Sequence, residues 1–225
     1  MNANRTGSIW TLAGDETSWS TWAEEMGHAP ASPLMQELIA ANRAHQPGWA
    51  LDLGCGTGRA FGPLAAAGYW VIGLDPTWNG IRLSQQRANQ TDLSARVTLA
   101  SAARLPLQGG SIAFILALSS LFHLSQPELI SALQEIQRVL LPGGSALLHF
   151  LDLEDWRHTL GKEIRPEEGP NPSYRAVVTC FCSEGQVEEW ILLAGLKLIG
   201  LDLRTAQSET GQQRNWLAQC RKQAG

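Results

Sequence analysis

Apolar residues along this chain gather in two kinds of run that take turns. Short stretches with no apolar–polar alternation, "WALDL" (49–53), "YWVIGLD" (69–75), "RVTLA" (96–100), "SIAFILAL" (111–118) and "SALLHF" (145–150), have the pattern of strands in a parallel sheet covered on both faces. Between them lie segments with helical spacing. "SPLMQELIAANRA" (32–44) starts with Ser32 as cap and Pro33 at the first helical position, and Leu34, Leu38, Ile39 and Ala41 form its stripe. "RAFGPLAAAG" (59–68) and "NGIRLSQQRANQ" (79–90) are the next two helices. Ser125 with Glu128, and Ser183 with Gln186, are capping boxes that open two more. The first carries Leu129, Leu133, Ile136 and Leu140 on one face and is expected to stop at "PGG" after Leu141. The second carries Val187, Trp190, Ile191 and Ala194 and stops at Gly195.

The last two apolar runs, "LKLIGLDLR" (196–204) and "RNWLAQCRK" (214–222), are joined by only "TAQSETGQQ". That link is too short for a helical crossover, so the pair is expected to be antiparallel. Ahead of the alternating region, "TSWSTWAEEMGH" (17–28) reads as a short helix capped by Thr17 or Ser18. The chain therefore divides into an amino-terminal helical cap or lid (1–45) and an α/β core (46–225). The segment from about 151 to 176 has no helical or strand period and holds Pro166, Pro170 and Pro172. A long irregular segment in a compact domain is usually a substrate loop.

With 44% hydrophobic and 17% charged residues, the chain can bury a globular core. Its net charge of -4 gives no overall basic field to draw nucleic acid or an anionic membrane. Cys55, Cys180, Cys182 and Cys220 show no C-x-x-C spacing, so neither a disulfide framework nor a metal site is expected. The opening residues contain no apolar leader, and no apolar run is long enough for a membrane helix. A reduced, cytoplasmic monomer or homodimer is the expectation.

The chemistry sits in "LDLGCGTGRA" (51–60), where a strand runs into three glycines. Glycines in a strand-to-helix turn let the backbone approach a nucleotide-like ligand. A dinucleotide fold wants G-x-G-x-x-G, but the third position here is Arg59 and the actual pattern is G-x-G-x-G through Gly58. That counts against a nicotinamide cofactor. "ALDLGCGTGRA" instead resembles the first motif of class I S-adenosylmethionine-dependent methyltransferases. The likeness extends through "VIGLDPTW", "ASAARLPLQGGSIAFILALSSLFHL", "EIQRVLLPGGSALLHF" and "FCSEGQVEEWILLAGLKLIGLDL" to the closing "RNWLAQCRK".

The resemblance implies a doubly wound, seven-stranded, mostly parallel sheet of order 3-2-1-4-5-7-6 with an antiparallel terminal hairpin. It implies S-adenosylmethionine as cofactor and S-adenosylhomocysteine as product. Gly54, Cys55, Gly56 and Gly58 would meet the methionine portion, with Asp52 near its ammonium. Asp75 would hold the ribose hydroxyls, Pro76 and Thr77 would run beside the adenosine, and Ser101 and Ala102 beside the adenine. Leu118, after the fourth strand, completes the cofactor set. The family commonly has acidic residues where this chain has Ser101 and Ala113.

Methyl transfer needs alignment and exclusion of water more than it needs a dedicated base. "SSLFHL" (119–124) does not match the tetrad with which amino-methylating DNA enzymes stack a flipped base. His123 is the first base candidate and His149 the second, while His28, His45 and His158 read as surface residues. Trp10, Trp19, Trp22 and Trp156 fall where the fold builds its lid and suit an apolar or cationic acceptor. The expected function is methylation of a small organic acceptor at O, N or C. A tRNA or protein methyltransferase, a non-catalytic cofactor-binding protein and a dehydrogenase are the alternatives.

Overall fold

The computed structural model describes residues 29–44, 47–158, 180–208 and 211–223. The expected helix over 17–28, Trp10, Trp19, Trp22, His28, His45 and residues 159–176 with their three prolines lie outside the described residues. The strands are β1 (Gly48–Leu53), β2 (Tyr69–Asp75), β3 (Ala95–Leu99), β4 (Ile112–Ala117), β5 (Leu140–Asp152), β6 (Phe181–Cys182), β7 (Lys197–Gln207) and β8 (Gln212–Arg221). The helices are α1 (Pro33–Ala41), α2 (Phe61–Ala66), α3 (Trp78–Gln90), α4 (Gln126–Val139) and α5 (Glu184–Leu193), with a 3-10 turn over Leu121–His123.

The sheet order is β3-β2-β1-β4-β5-β8-β7, which is the expected order once β7 and β8 stand for the expected sixth and seventh strands. β1 to β5 are parallel, and β8 runs antiparallel to both β5 and β7. An eighth strand was not expected. The two-residue β6 adds to the end of β5, where Leu151 pairs with Phe181 and Asp152 with Cys182, beyond the point at which β4 stops. β5 thus runs two residues into the segment read from sequence as a loop.

The unbroken apolar runs are explained by the two covered faces. Ala50, Phe114, Leu116 and Leu147 face Ile39 of α1, Phe61 and Leu64 of α2 and Ala88 of α3. Their sequence neighbours Leu51, Ile115 and Leu148 face the opposite way, onto Leu129, Leu133 and Ile136 of α4 and Val187 and Trp190 of α5. Each of the buried Leu, Ile, Val and Phe side chains among them stabilises the fold by roughly 1.5–3 kcal/mol relative to exposure.

The caps read from sequence hold. Met35 N donates to Ser32 Oγ at 3.2 Å, Ser125 N to Glu128 Oε2 at 2.9 Å, and Ser183 N to Gln186 Oε1 at 3.0 Å. One expectation fails: α4 stops at Val139, and "PGG" lies inside β5 rather than ending a helix. Leu140 already pairs with Ile112, and Gly144 lies so close to β4 that a Cβ there would sit 3.2 Å from the Ala113 carbonyl oxygen. The pairing shifts register between Ile112 and Phe114, which takes up the extra residues as an irregularity in the strand.

Candidate active site

β1 ends in a turn whose three glycines all have left-handed φ, +75° at Gly54, +51° at Gly56 and +72° at Gly58. Crowding adds a second reason for glycine. A Cβ on Gly54 would sit 2.4 Å from Ser120 Cβ, and one on Gly58 would sit 2.9 Å from the Phe61 ring. The turn's N–H groups are directed inward. Gly54 and Cys55 both donate to the Leu74 carbonyl at 2.8 and 2.9 Å, Gly58 donates to the Cys55 carbonyl at 2.8 Å, and Gly56 donates to Asp75 Oδ2 at 2.8 Å. With four of its donors engaged this way, the turn is not built as a phosphate cradle.

Asp75, at the tip of β2, organises the neighbouring strand end. Its Oδ1 accepts from Thr77 N at 2.9 Å and from Thr77 Oγ1 at 2.7 Å, and Thr77 Oγ1 accepts from Gly80 N at 3.1 Å to cap α3. Ala100 N donates to the Asp75 carbonyl, which brings the end of β3 alongside. Just past it, the Ser101 hydroxyl accepts from Ala103 N at 3.2 Å, and Ala102 packs against the core. Pro76 is exposed.

Asp52 is buried beneath the same turn. Burial, then the charge of Asp75, raise its carboxyl pKa from 3.8 to about 7, against the pull of the Arg59 guanidinium. Cys55 is also buried, and burial with the nearby carboxylates holds its thiol well above the ordinary range, so it packs rather than reacts. Two carboxyls this close favour a cationic ligand and disfavour a pyrophosphate. A molecule bearing an ammonium and a sulfonium fits the residues present.

Beyond β4 the chain turns sharply. Ser119 is one of two described non-glycine residues with positive φ, at +55°, a conformation that persists only when its surroundings hold it. The hold is His149 on β5, whose Nδ1 accepts the Ser119 N–H at 3.1 Å. Because a backbone N–H can only donate, Nδ1 is unprotonated and the proton of the neutral ring is on Nε2. Burial pushes the His149 pKa down to about 4, so the ring is neutral at physiological pH. Nε2 is buried, and the Asn215 side chain beside the ring opposes the shift that burial causes. Phe122 packs its ring against His149 at 5.1 Å and against His123 at 4.4 Å.

His149, Leu118 and Ser119 open onto a cleft of about 210 Å³. Sequence reasoning named Leu118 for the cofactor and His149 as a base candidate but missed the remaining wall. Arg204 of β7, Asn215 and Leu217 of β8, Arg59 and the start of α1 complete its lining. No local signal marks Arg204 or Asn215. They reach the cleft because β8 inserts beside β5, pairing His149 with Leu217 and Leu151 with Asn215. His123, half-buried on the 3-10 turn, is not among the residues lining this cleft.

The exit of β5 is pinned to the same hairpin. Asp155, 1% exposed, accepts from Arg157 Nε at 2.7 Å and from the Arg214 backbone N–H at 2.6 Å. Arg214 Nε donates to Asp152 at 2.8 Å. These bonds lower the Asp155 pKa despite the opposing effect of burial.

Residues 50–144 match the protein-family model described as Methyltransferase domain. The chain is 28% identical over 116 residues to tRNA (carboxymethyluridine(34)-5-O)-methyltransferase ALKBH8 of Mus musculus, covering 51% of this chain and 16% of that protein. It spans less than a third of the length of the curated relatives it matches. A SAM-dependent methyltransferase from Methanosarcina mazei superposes with TM-score 0.70 at 20% identity, over 87% of this chain and 100% of that one. The [4+2]-cyclase SpnF does so with TM-score 0.70 at 17% identity, over 98% and 100%. At these identities the structural likeness establishes the fold alone. Among the described residues no helix is long and apolar enough to cross a membrane.

Proposed function

Because this chain carries a class I S-adenosylmethionine-dependent methyltransferase domain, with S-adenosylmethionine as its cofactor, we propose that it is an enzyme transferring a methyl group to a small organic acceptor at O, N or C. The observation that supports a small acceptor is the cleft beside Leu118 and Ser119. It is smaller than the usual drug-sized pocket and opens from the edge of the sheet where ligands bind in folds of this kind.

In this reading the bound cofactor supplies an electrophilic methyl group, and the chain supplies position. The Gly54–Gly58 turn, with Cys55 beneath it, accommodates the methionine portion. Asp52 balances the ammonium, Asp75 the ribose hydroxyls, and Pro76, Thr77, Ser101, Ala102 and Leu118 surround the nucleoside. His123, which does not line the cleft, would serve as base only for an acceptor that extends past the cleft to the 3-10 turn. We further propose a cap or lid within residues 1–45 and a substrate loop within about 151–176, in which case bound cofactor with acceptor slows limited proteolysis there. Unchanged cleavage would rule a cover out.

A second reading, methylation of tRNA, is favoured by what the Mus musculus relative is named for and disfavoured by the net charge of -4. Incubating the protein with S-adenosylmethionine, a metabolite panel and bulk tRNA separates the readings. S-adenosylhomocysteine formation with a metabolite alone supports the first, and methylated tRNA alone supports the second. Cofactor binding with no transfer to either would make the chain a binding protein.

A further inference from the structure

We propose that the acceptor taken by the cleft is a carboxylate-bearing molecule with an apolar body. The inference rests on the methyltransferase reading above and narrows its acceptor. The charged and amide groups around the cleft are donors. Arg204 and Arg59 bring two guanidiniums, and no lining residue is an acid. Arg204 faces Asp202 only at 3.9 Å, and both side chains are exposed, a geometry in which an ion pair contributes little. Asn215 turns its carbonyl oxygen to Arg157, which donates to it at 3.2 Å. His149 offers the cleft no acceptor, since its Nδ1 is engaged by Ser119 and its Nε2 is buried. Leu34, Met35, Leu118 and Leu217 supply the apolar walls.

An amine acceptor would arrive as a cation beside Arg204 and Arg59, and no residue lining the cleft is a carboxylate to receive it. A neutral hydroxyl would need a base, and the histidine in the cleft has its unprotonated nitrogen occupied. A carboxylate avoids both difficulties. It is ionised at neutral pH, and guanidinium presents paired N–H groups that match its two oxygens. It needs no proton removed before it reacts. The carboxylate oxygen takes the methyl group as an ester, the sulfonium sulfur keeps the electron pair of the bond that breaks, and no proton is released. The product has lost the charge that held it, which favours release.

The test is a binding measurement on the full chain without cofactor, at pH 7.5, by NMR titration. The probes are acetate, hexanoate and phenylacetate, each against its amide. Phenylacetate or hexanoate should bind at least about tenfold more tightly than its amide, the factor expected of a charge-assisted hydrogen bond. Arg204→Gln should reduce that preference several-fold, and Arg59→Gln should also reduce it. If no acid outbinds its amide, or if the preference survives both substitutions, the inference is wrong. A parallel titration with S-adenosylhomocysteine keeps the two readings apart. Failure to bind that product would sink the methyltransferase reading, whereas its normal binding without an acid preference would sink only the carboxylate site.

Discussion

Replacing Asp52 with Asn should make the ligand-free protein more stable at pH 8 while weakening its hold on the cofactor. The carboxyl is 6% exposed and close to Asp75, and together these raise its pKa from 3.8 to about 7. A carboxyl with a raised folded-state pKa binds its proton more tightly when folded than when unfolded. Its protonated form therefore favours the folded state at low pH, and that contribution is lost as pH rises from about 4 to about 7. At about 1.36 kcal/mol per unit, the ionised group costs the folded protein roughly 4 kcal/mol at most. An amide cannot ionise, so Asp52→Asn should match wild type near pH 4 and exceed it by about 2–4 kcal/mol at pH 8. Urea unfolding of both proteins from pH 4.5 to 8.5 reads that difference directly. Cofactor affinity should move the other way. A cation placed beside Asp52 favours its ionised form, so wild-type affinity should rise with pH up to about 7, whereas that of the variant should be lower and flat. Parallel wild-type and variant stability curves across this range would refute the reasoning, because they would mean that Asp52 ionises in the folded state as it does in the unfolded one.

Asp75→Ala removes the acceptor for Gly56 N–H and for both donors of Thr77. It should weaken S-adenosylhomocysteine binding by roughly 1.5–3 kcal/mol and also lower the ligand-free melting temperature, measured by calorimetry. A loss of affinity without any loss of stability would mean that the turn does not depend on Asp75. If the acceptor is a carboxylate, His123→Ala should keep kcat within a few-fold of wild type. A fall of about 10²–10⁴-fold with cofactor affinity intact would instead identify His123 as the base. Asp155→Ala leaves Arg157 and the Arg214 N–H without their acceptor and should destabilise the protein by about 2–3 kcal/mol in urea unfolding at pH 7. The depressed pKa of Asp155 means that its contribution is present above pH 4 and is lost as pH falls below that, so the difference between wild type and variant should shrink in acid.

The sequence by itself determined most of the secondary elements, their order and the glycine turn after β1, because those depend on short-range physics. Capping boxes at Ser125 and Ser183 mark helix starts through bonds spanning three residues. The turn after Asp52 is legible because only glycine adopts left-handed φ at three nearby positions without strain. The antiparallel closing pair follows from a link too short to cross the sheet. What only the tertiary structure decided depends on segments far apart along the chain. "PGG" carries helix-stop chemistry, and pairing of Leu140 with Ile112 made it part of a strand instead. The tautomer and neutrality of His149 come from Ser119, thirty residues earlier, and from burial that no local pattern encodes. One of the two guanidiniums of the cleft, Arg204, and the amide of Asn215 come from a hairpin whose place beside β5 is fixed by main-chain hydrogen bonding. Those bonds are the same for any side chain, so the residues they carry to the site have no signature of their own in the sequence.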